Sequence, residues 1–585
     1  MDLSYAWLHP FWAFGLPIVL SFPIGRLMFR SLDVPDARVG KGLDAVPMAL
    51  LRLLGRRAPA RQDWKSYAYA FLAFNAALFV ITFVLLYLQP YMPLNPDGKL
   101  ASLGAMGYKD TAGVDHPNAD TGVVFNTVCS FVTNTNLQHY SGEQNLSYFS
   151  QLACIVWLMF VTPAAGLAVM VATLRGLRGD THLGDFYADL MRTLVWVFLP
   201  YCVVVALLLV AGGVPMTFDK AVQASPLDGT AAKMETQTIA RGPVAAMVAI
   251  KQSGTNGGGF FGPNSAHPFE NPTPWTNLFE IASIVVMPMA SLVMAGLMLR
   301  NMRHAMVIYG VMLSMMVVGT VVAITYQLAP SAATRGLPVA RAPNMEGSEV
   351  RFGPVASATW AAMTSGTSNG SVNTMHDSLN PIAGLVPMSM MMLNVVFSGI
   401  GSGFENMLMY IIVAVFLAGL MVGRTPEYLG KKVEAKEVKL AMIVMLLHPL
   451  LILAGAGLFA TTEWGTKTVA NPGPHGFSEI LYEFTSASAN NGSGFEGLSD
   501  NNPAWNVATG VVLLLGRFPA LVIPLAIAGS LATKKRVPQT TGTLRTDNLT
   551  FAGMLLGTVL LVGALSFMPA VVLGPVADHL TAIHK

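Results

Sequence analysis

Long apolar runs dominate this chain, and its polar positions collect between them. Runs free of charge cover 3–25, 66–96, 144–174, 193–218, 281–299, 305–334, 406–423, 440–462 and 548–577. A tenth, 501–533, is interrupted only by Arg517. A helix crosses a bilayer with about 20 apolar residues, so the pattern predicts an all-α polytopic membrane protein with ten transmembrane helices. The apolar run 382–404 would be an eleventh, but Pro387, Gly399, Gly401 and Gly403 make it a poor helix. It reads as a re-entrant or interfacial piece, tolerated where protein rather than lipid surrounds it.

Four polar loops interrupt this pattern in a similar way, each after an apolar stretch too short to span. They are Phe131–Gln138, Ser253–Gly259, Ser365–Ser371 and Ser486–Ser493. Taking Asn136, Asn256, Asn369 and Asn491 as equivalent gives intervals of 120, 113 and 122 residues. Even spacing of this kind marks a duplicated unit, here span, half-helix, polar loop, span. The predicted division is 1–65 (first span and basic loop), four pore repeats at 66–174, 193–299, 305–423 and 440–533, and a last span at 548–577. Four units take eight of the ten spans, leaving one extra helix at each end.

The residue types in the loops suggest their chemistry. A dehydrated cation needs a ring of oxygens, which backbone carbonyls supply without adding charge. Turning successive carbonyls inward demands unusual φ/ψ, easy for glycine and tolerated by asparagine. Each preceding half-helix would aim its negative C-terminal end at the centre. Thr and Asn side chains could hold the loops or add oxygens. No acid lies within the four loops, which favours a monovalent ion such as potassium over calcium or magnesium. One such cluster would ordinarily be a turn; four on one side of the membrane at even intervals are not explained that way.

Composition and charge sharpen the picture. Of 585 residues only 11% are charged and 53% are hydrophobic, against about 25% charged in soluble domains. The net charge of +3 is too small and scattered to argue for nucleic acid. Cys129, Cys154 and Cys202 lie in apolar surroundings without metal-ligand spacing. Segment 26–65 holds nine Lys/Arg against four Asp, whereas 97–143 holds two Lys against five acids and 463–500 one Lys against five acids. Basic loops face the cytoplasm, which places both termini outside. The N-terminus lacks a basic leader region, so the first run reads as a retained span.

Several stretches, among them 131–136, 140–143, 254–261, 267–272, 375–378, 423–432 and 471–479, resemble the A chain of the Kdp potassium-transporting ATPase family. The likeness runs from about residue 60 to the C-terminus. Leu137 departs from the family, standing where an aromatic residue is expected, and the third loop, 367–371, is the least familiar in form. The resemblance implies a potassium-channel-like architecture of four span–pore-loop–span repeats in one chain, and a bacterial inner-membrane potassium importer. A separate P-type ATPase catalytic subunit and small single-span accessory subunits would complete it. It maps the selectivity filter to Asn134, Thr135, Asn136 and Gln138, Thr255, Asn256 and Gly257, Asn369 and Gly370, and Asn491 and Gly492. It also sets Arg517 beside a tunnel that carries K+ to the ATPase subunit. Read alone, an arginine at mid-span costs at least ~2.5–3.5 kcal/mol and must face protein or water. No phosphate-binding loop or phosphorylation segment occurs, so nucleotide binding is expected in another chain. The alternative is a stand-alone, gradient-driven potassium transporter or channel of the same superfamily. An intramembrane enzyme lacks any nucleophile–base constellation.

Overall fold

The computed structural model describes residues 6–56, 59–99, 108–109, 115–116, 121–228, 234–331, 334, 342–537 and 544–584. The start of the first expected span, 3–5, Arg57 of the basic segment, and parts of the loop 97–143 and of the repeats 193–299 and 305–423 lie outside these residues. Among the described residues ten helices are long and apolar enough to cross a membrane. They are Leu8–Leu32, Trp64–Tyr87, Ser150–Arg178, Phe186–Ala211, Pro274–Met298, Met302–Gln327, Ser402–Met421, Ala435–Ala460, Pro503–Ala532 and Leu549–Ala582. The ends shift from the expected runs because capping, not hydropathy, sets where a helix begins. Thr273 caps the fifth span reciprocally with Thr276, and Asn502 caps the ninth through Ala504 and Trp505. Neither boundary coincides with the edge of an apolar run.

Four shorter helices lie between span pairs: Gly122–Val132, Val244–Ser253, Gly353–Gly366 and Pro474–Ala489. In each unit the span after the short helix is more buried than the span before it. The windows are 89% against 33% buried in the first unit and 94% against 28% in the second. The spans following the loops therefore form the inner wall. The first span packs along Pro274–Met298, where a β-carbon on Gly25 would sit 2.6 Å from Ala290 O, so glycine permits the close approach. The last span lies against Met302–Gln327 and Ser402–Val422.

Segment 382–404 differs from its expected form in its first half. Pro381–Leu393 is a regular helix despite Pro387, and at 13 residues it is only about 20 Å long, too short to span. Residues 394–401 then leave helical geometry, with positive φ at Asn394, Phe397, Ser398 and Gly401. Residues 395–404 are buried. Protein surrounds the break, and its freed polar groups bond to neighbouring loops instead of lipid.

Candidate functional site

The four short helices end at Thr133, Gly254, Thr367 and Asn490, and each hands the chain to one polar loop. A common backbone code follows. Asn134, Thr255, Ser368 and Asn490 have φ of 65°, 50°, 47° and 54°. Two residues on, Asn136, Gly257, Gly370 and Gly492 have φ of 57°, 88°, 87° and 101°. Between them stand Thr135, Asn256, Asn369 and Asn491. Left-handed, other, left-handed is the repeating conformation.

This code corrects the equivalence assumed from asparagine spacing. Asn136 occupies the place of the three glycines, and Thr135 matches the asparagines, so the intervals are 121, 113 and 122. Asparagine is among the few side chains that tolerate the left-handed region, which is why the substitution holds in the first loop.

The loops close on one another in order. A β-carbon on Gly257 would overlap Asn369 O, one on Gly370 would overlap Asn491 O, and one on Gly492 would overlap Thr135 O. A β-carbon on Gly258 would lie 2.9 Å from Asn136 Cβ, completing the contact of first and second loops. The four backbones thus form a ring, and the glycines are where neighbouring strands touch.

The asparagine side chains hold this ring. Asn369 Nδ2 donates to Lys251 O at 2.9 Å and Asn491 Nδ2 to Thr364 O at 3.2 Å, each reaching the short helix of the preceding unit. Asn256 Nδ2 donates to Asn134 Oδ1 at 2.5 Å. Asn490 Nδ2 closes the circle on Thr135 Oγ1 at 3.0 Å. The amide oxygens of Asn369 and Asn491 accept from Ser371 N and Ser493 N, at 2.9 and 3.0 Å. These side chains staple the loops to one another and to the short helices. Leaving a buried donor or acceptor without a partner costs about 1–3 kcal/mol, so each staple fixes one corner.

Aromatic and charged residues brace the ring from behind. Trp360 Nε1 donates to Ser371 O at 2.7 Å, and Tyr482 Oη meets Ser493 Oγ at 2.8 Å. Fully buried Lys251 pairs with Glu270 and donates to Asn264 Oδ1 at 2.7 Å. Glu270 in turn accepts from Phe261 N at 2.9 Å, acting as an anchor for the chain beyond the second loop. Gln138 is half-buried and exchanges hydrogen bonds with the backbone of Gly259, at 2.7 and 3.1 Å. Leu137 is buried in an apolar cluster that includes Phe484, Phe495 and Trp505.

The break at 394–401 packs under the leading end of the loops. Ile400 N donates to Thr255 Oγ1 at 3.0 Å, Ser398 N to Gly366 O at 2.9 Å, and Ser368 Oγ to Asn394 Oδ1 at 3.2 Å. Arg517 is buried beside it and donates from Nη1 to Ser402 Oγ at 3.3 Å. Among the described residues Arg517 makes no ion pair. Sequence reading named all of Asn136, Gly257, Gly370 and Gly492, but of the first left-handed column only Asn134 and Thr255. It missed Asn490 and Ser368, whose place shows once the loops are aligned on their left-handed residues.

At the far end of the fourth short helix, His475 bridges Asp377 Oδ1 at 3.0 Å and Asp578 Oδ2 at 2.8 Å. Burial alone would lower its pKa, but these two acceptors outweigh it and raise the value to about 10. A raised pKa stabilises the fold fully below the unfolded value of about 6.5, and that contribution is lost as pH rises towards 10. Melting temperature is therefore expected to fall between pH 7 and 10, with a shallower slope in His475→Gln. Parallel slopes would show that the bridge carries no net stability.

A ring of four non-identical loops, each between an outer and an inner span, defines a single-chain membrane protein of pore-loop architecture. The sequence assigns it further. The chain belongs to the potassium-transporting ATPase A subunit family, whose profile matches residues 12–580. It is 47% identical over 572 residues to the potassium-transporting ATPase potassium-binding subunit of Geobacillus kaustophilus, covering 97% of this chain and 98% of that one. To the subunit of the same description from Pseudomonas aeruginosa it is 45% identical over 571 residues, covering 97% of each. The potassium transporter TrkH from Vibrio parahaemolyticus superposes with a TM-score of 0.49 at 12% identity, over 89% of this chain and 97% of the other. At that level no property transfers between the two.

Proposed function

We propose that this chain is the potassium-selecting subunit of an ATP-driven importer in the bacterial inner membrane, oriented with both termini outside. The observation that carries this reading is the closed ring of loops, with left-handed backbone at two positions in every loop and no carboxylate in any of them. Backbone carbonyls at Thr135, Asn256, Asn369 and Asn491 and their neighbours would replace the water around one K+. The C-terminal ends of four short helices add negative potential there. Four repeats, divided at 66–174, 193–299, 305–423 and 440–533, would each supply one quarter of the filter.

From the filter the ion would leave past the break at 394–401 and Arg517, through an intramembrane tunnel, to a separate P-type ATPase subunit. Small single-span subunits would accompany the pair. No nucleotide site is assigned to this chain; ATP would be bound by the partner. The test is rubidium uptake into liposomes by the co-purified complex and by this chain alone. Uptake that needs both ATP and the attached subunits is the expected result. Uptake by the isolated chain, driven by the gradient without ATP, would instead make it a free-standing transporter or channel.

A further inference from the structure

Just beyond the first loop, three side chains from three separate segments meet. His139 follows the loop of the first unit, Glu483 lies on the fourth short helix, and Asp500 lies in the chain leading to the ninth span. Their nearest donor atoms all lie within 4.8 Å of one another. His139 Nδ1 donates to Asn506 Oδ1 at 2.7 Å, which fixes the ring with Nε2 turned towards the two carboxylates. Nε2 is 3.4 Å from Glu483 Oε1 and 3.7 Å from Asp500 Oδ2. Both separations exceed the usual 2.7–3.2 Å of an N–H···O bond. They are close to the edge of a zinc tetrahedron, about 3.3–3.5 Å for ligand bonds of about 2.0–2.2 Å.

Glu483 supplies an independent observation. Its side chain is 1% exposed, and Oε2 is buried with no hydrogen-bond partner among the described residues. Two carboxylates around one imidazole leave excess negative charge even with the ring protonated, which a divalent ion taking the proton's place would balance, and burying such charge uncompensated is costly. Asp500, at 26% exposure, leaves a side open to water for a fourth ligand.

We propose that His139 Nε2, Glu483 and Asp500 form a binding site for a divalent transition ion of the zinc class, at the seam between the first loop and the fourth short helix. An imidazole nitrogen with two carboxylates suits zinc or cobalt better than magnesium or calcium, which take oxygen ligands in larger number. The other histidine–carboxylate group on this face, Asp377, His475 and Glu479, is not such a site. Its imidazole makes ordinary hydrogen bonds from both nitrogens, and Glu479 accepts from Ala470 N and Asn471 N. No lone pair remains there for a metal. At the proposed site, a β-carbon on Gly494 would lie 3.4 Å from Glu483 Oε2. An ion held there would therefore rest against the outgoing end of the fourth loop and clamp it to the first.

The test uses the intact complex, purified without a polyhistidine tag and titrated with Co2+. One equivalent is expected to bind with the intense visible absorption of a tetrahedral centre, and Zn2+ should displace it. His139→Gln and, on the open side of the site, Asp500→Asn should each weaken binding at least about tenfold, while His475→Gln leaves it unchanged. The proposal is overturned if no tetrahedral band forms. It is equally overturned if the band survives in both site variants, or if His475→Gln abolishes it.

Discussion

Gly370→Asp is expected to raise the potassium concentration for half-maximal transport by about a hundredfold or more, and to erode discrimination against rubidium and ammonium. At φ +87° a non-glycine residue pays about 1–3 kcal/mol for its backbone alone. The new β-carbon would also overlap Asn491 O, so either the third or the fourth strand must move. A combined penalty near 3 kcal/mol corresponds to about two decades in affinity. The carboxylate then adds a charge to a ring built without one. Gly257→Asp, against Asn369 O, should behave alike. Gly370→Ala separates the causes: it keeps the overlap and omits the charge. Uptake kinetics that match the parent protein in both aspartate variants would remove these loops from the ion path.

Arg517→Ala is expected to act on coupling rather than choice of ion. The guanidinium is buried under the loops, bonded to Ser402 at the start of the seventh span and next to the break in the third unit. Among the described residues it makes no hydrogen bond to any ring residue, yet a fixed positive charge there would oppose return of a cation. Removing it should increase the ATP hydrolysed per rubidium ion delivered several-fold while the potassium-to-rubidium preference holds. Arg517→Lys should restore most of the ratio. A changed preference with an unchanged ratio would assign the arginine to the filter and refute a valve role.

Much of this architecture is legible in the sequence because lipid imposes a simple rule: about 20 apolar residues in a row must be helix. The ten spans, the four half-helices and the buried, broken segment after Leu393 all follow from it. The register of the first loop does not. Asn136 in place of glycine shifts the apparent repeat by one residue, and only the φ angles show which positions correspond. The asparagines are equally ambiguous, since an amide serves as ion ligand or as staple; the acceptors Lys251 O and Thr364 O, bonded by Asn369 Nδ2 and Asn491 Nδ2, decide for staple. His139 gave no signal at all, because its partners lie more than 300 residues further along the chain.

The circle of staples joins quarters that are covalently one chain but chemically four. In a tetramer of identical subunits, any change at one corner is made at all of them. Here asparagine replaces glycine in one quarter, and the helix is broken in another, while the opposite quarters keep their own solutions. Each corner is free to specialise, but none is free to move alone: a displacement of the third or fourth loop is felt by the short helix of the unit before it, and one of the first by both its neighbours.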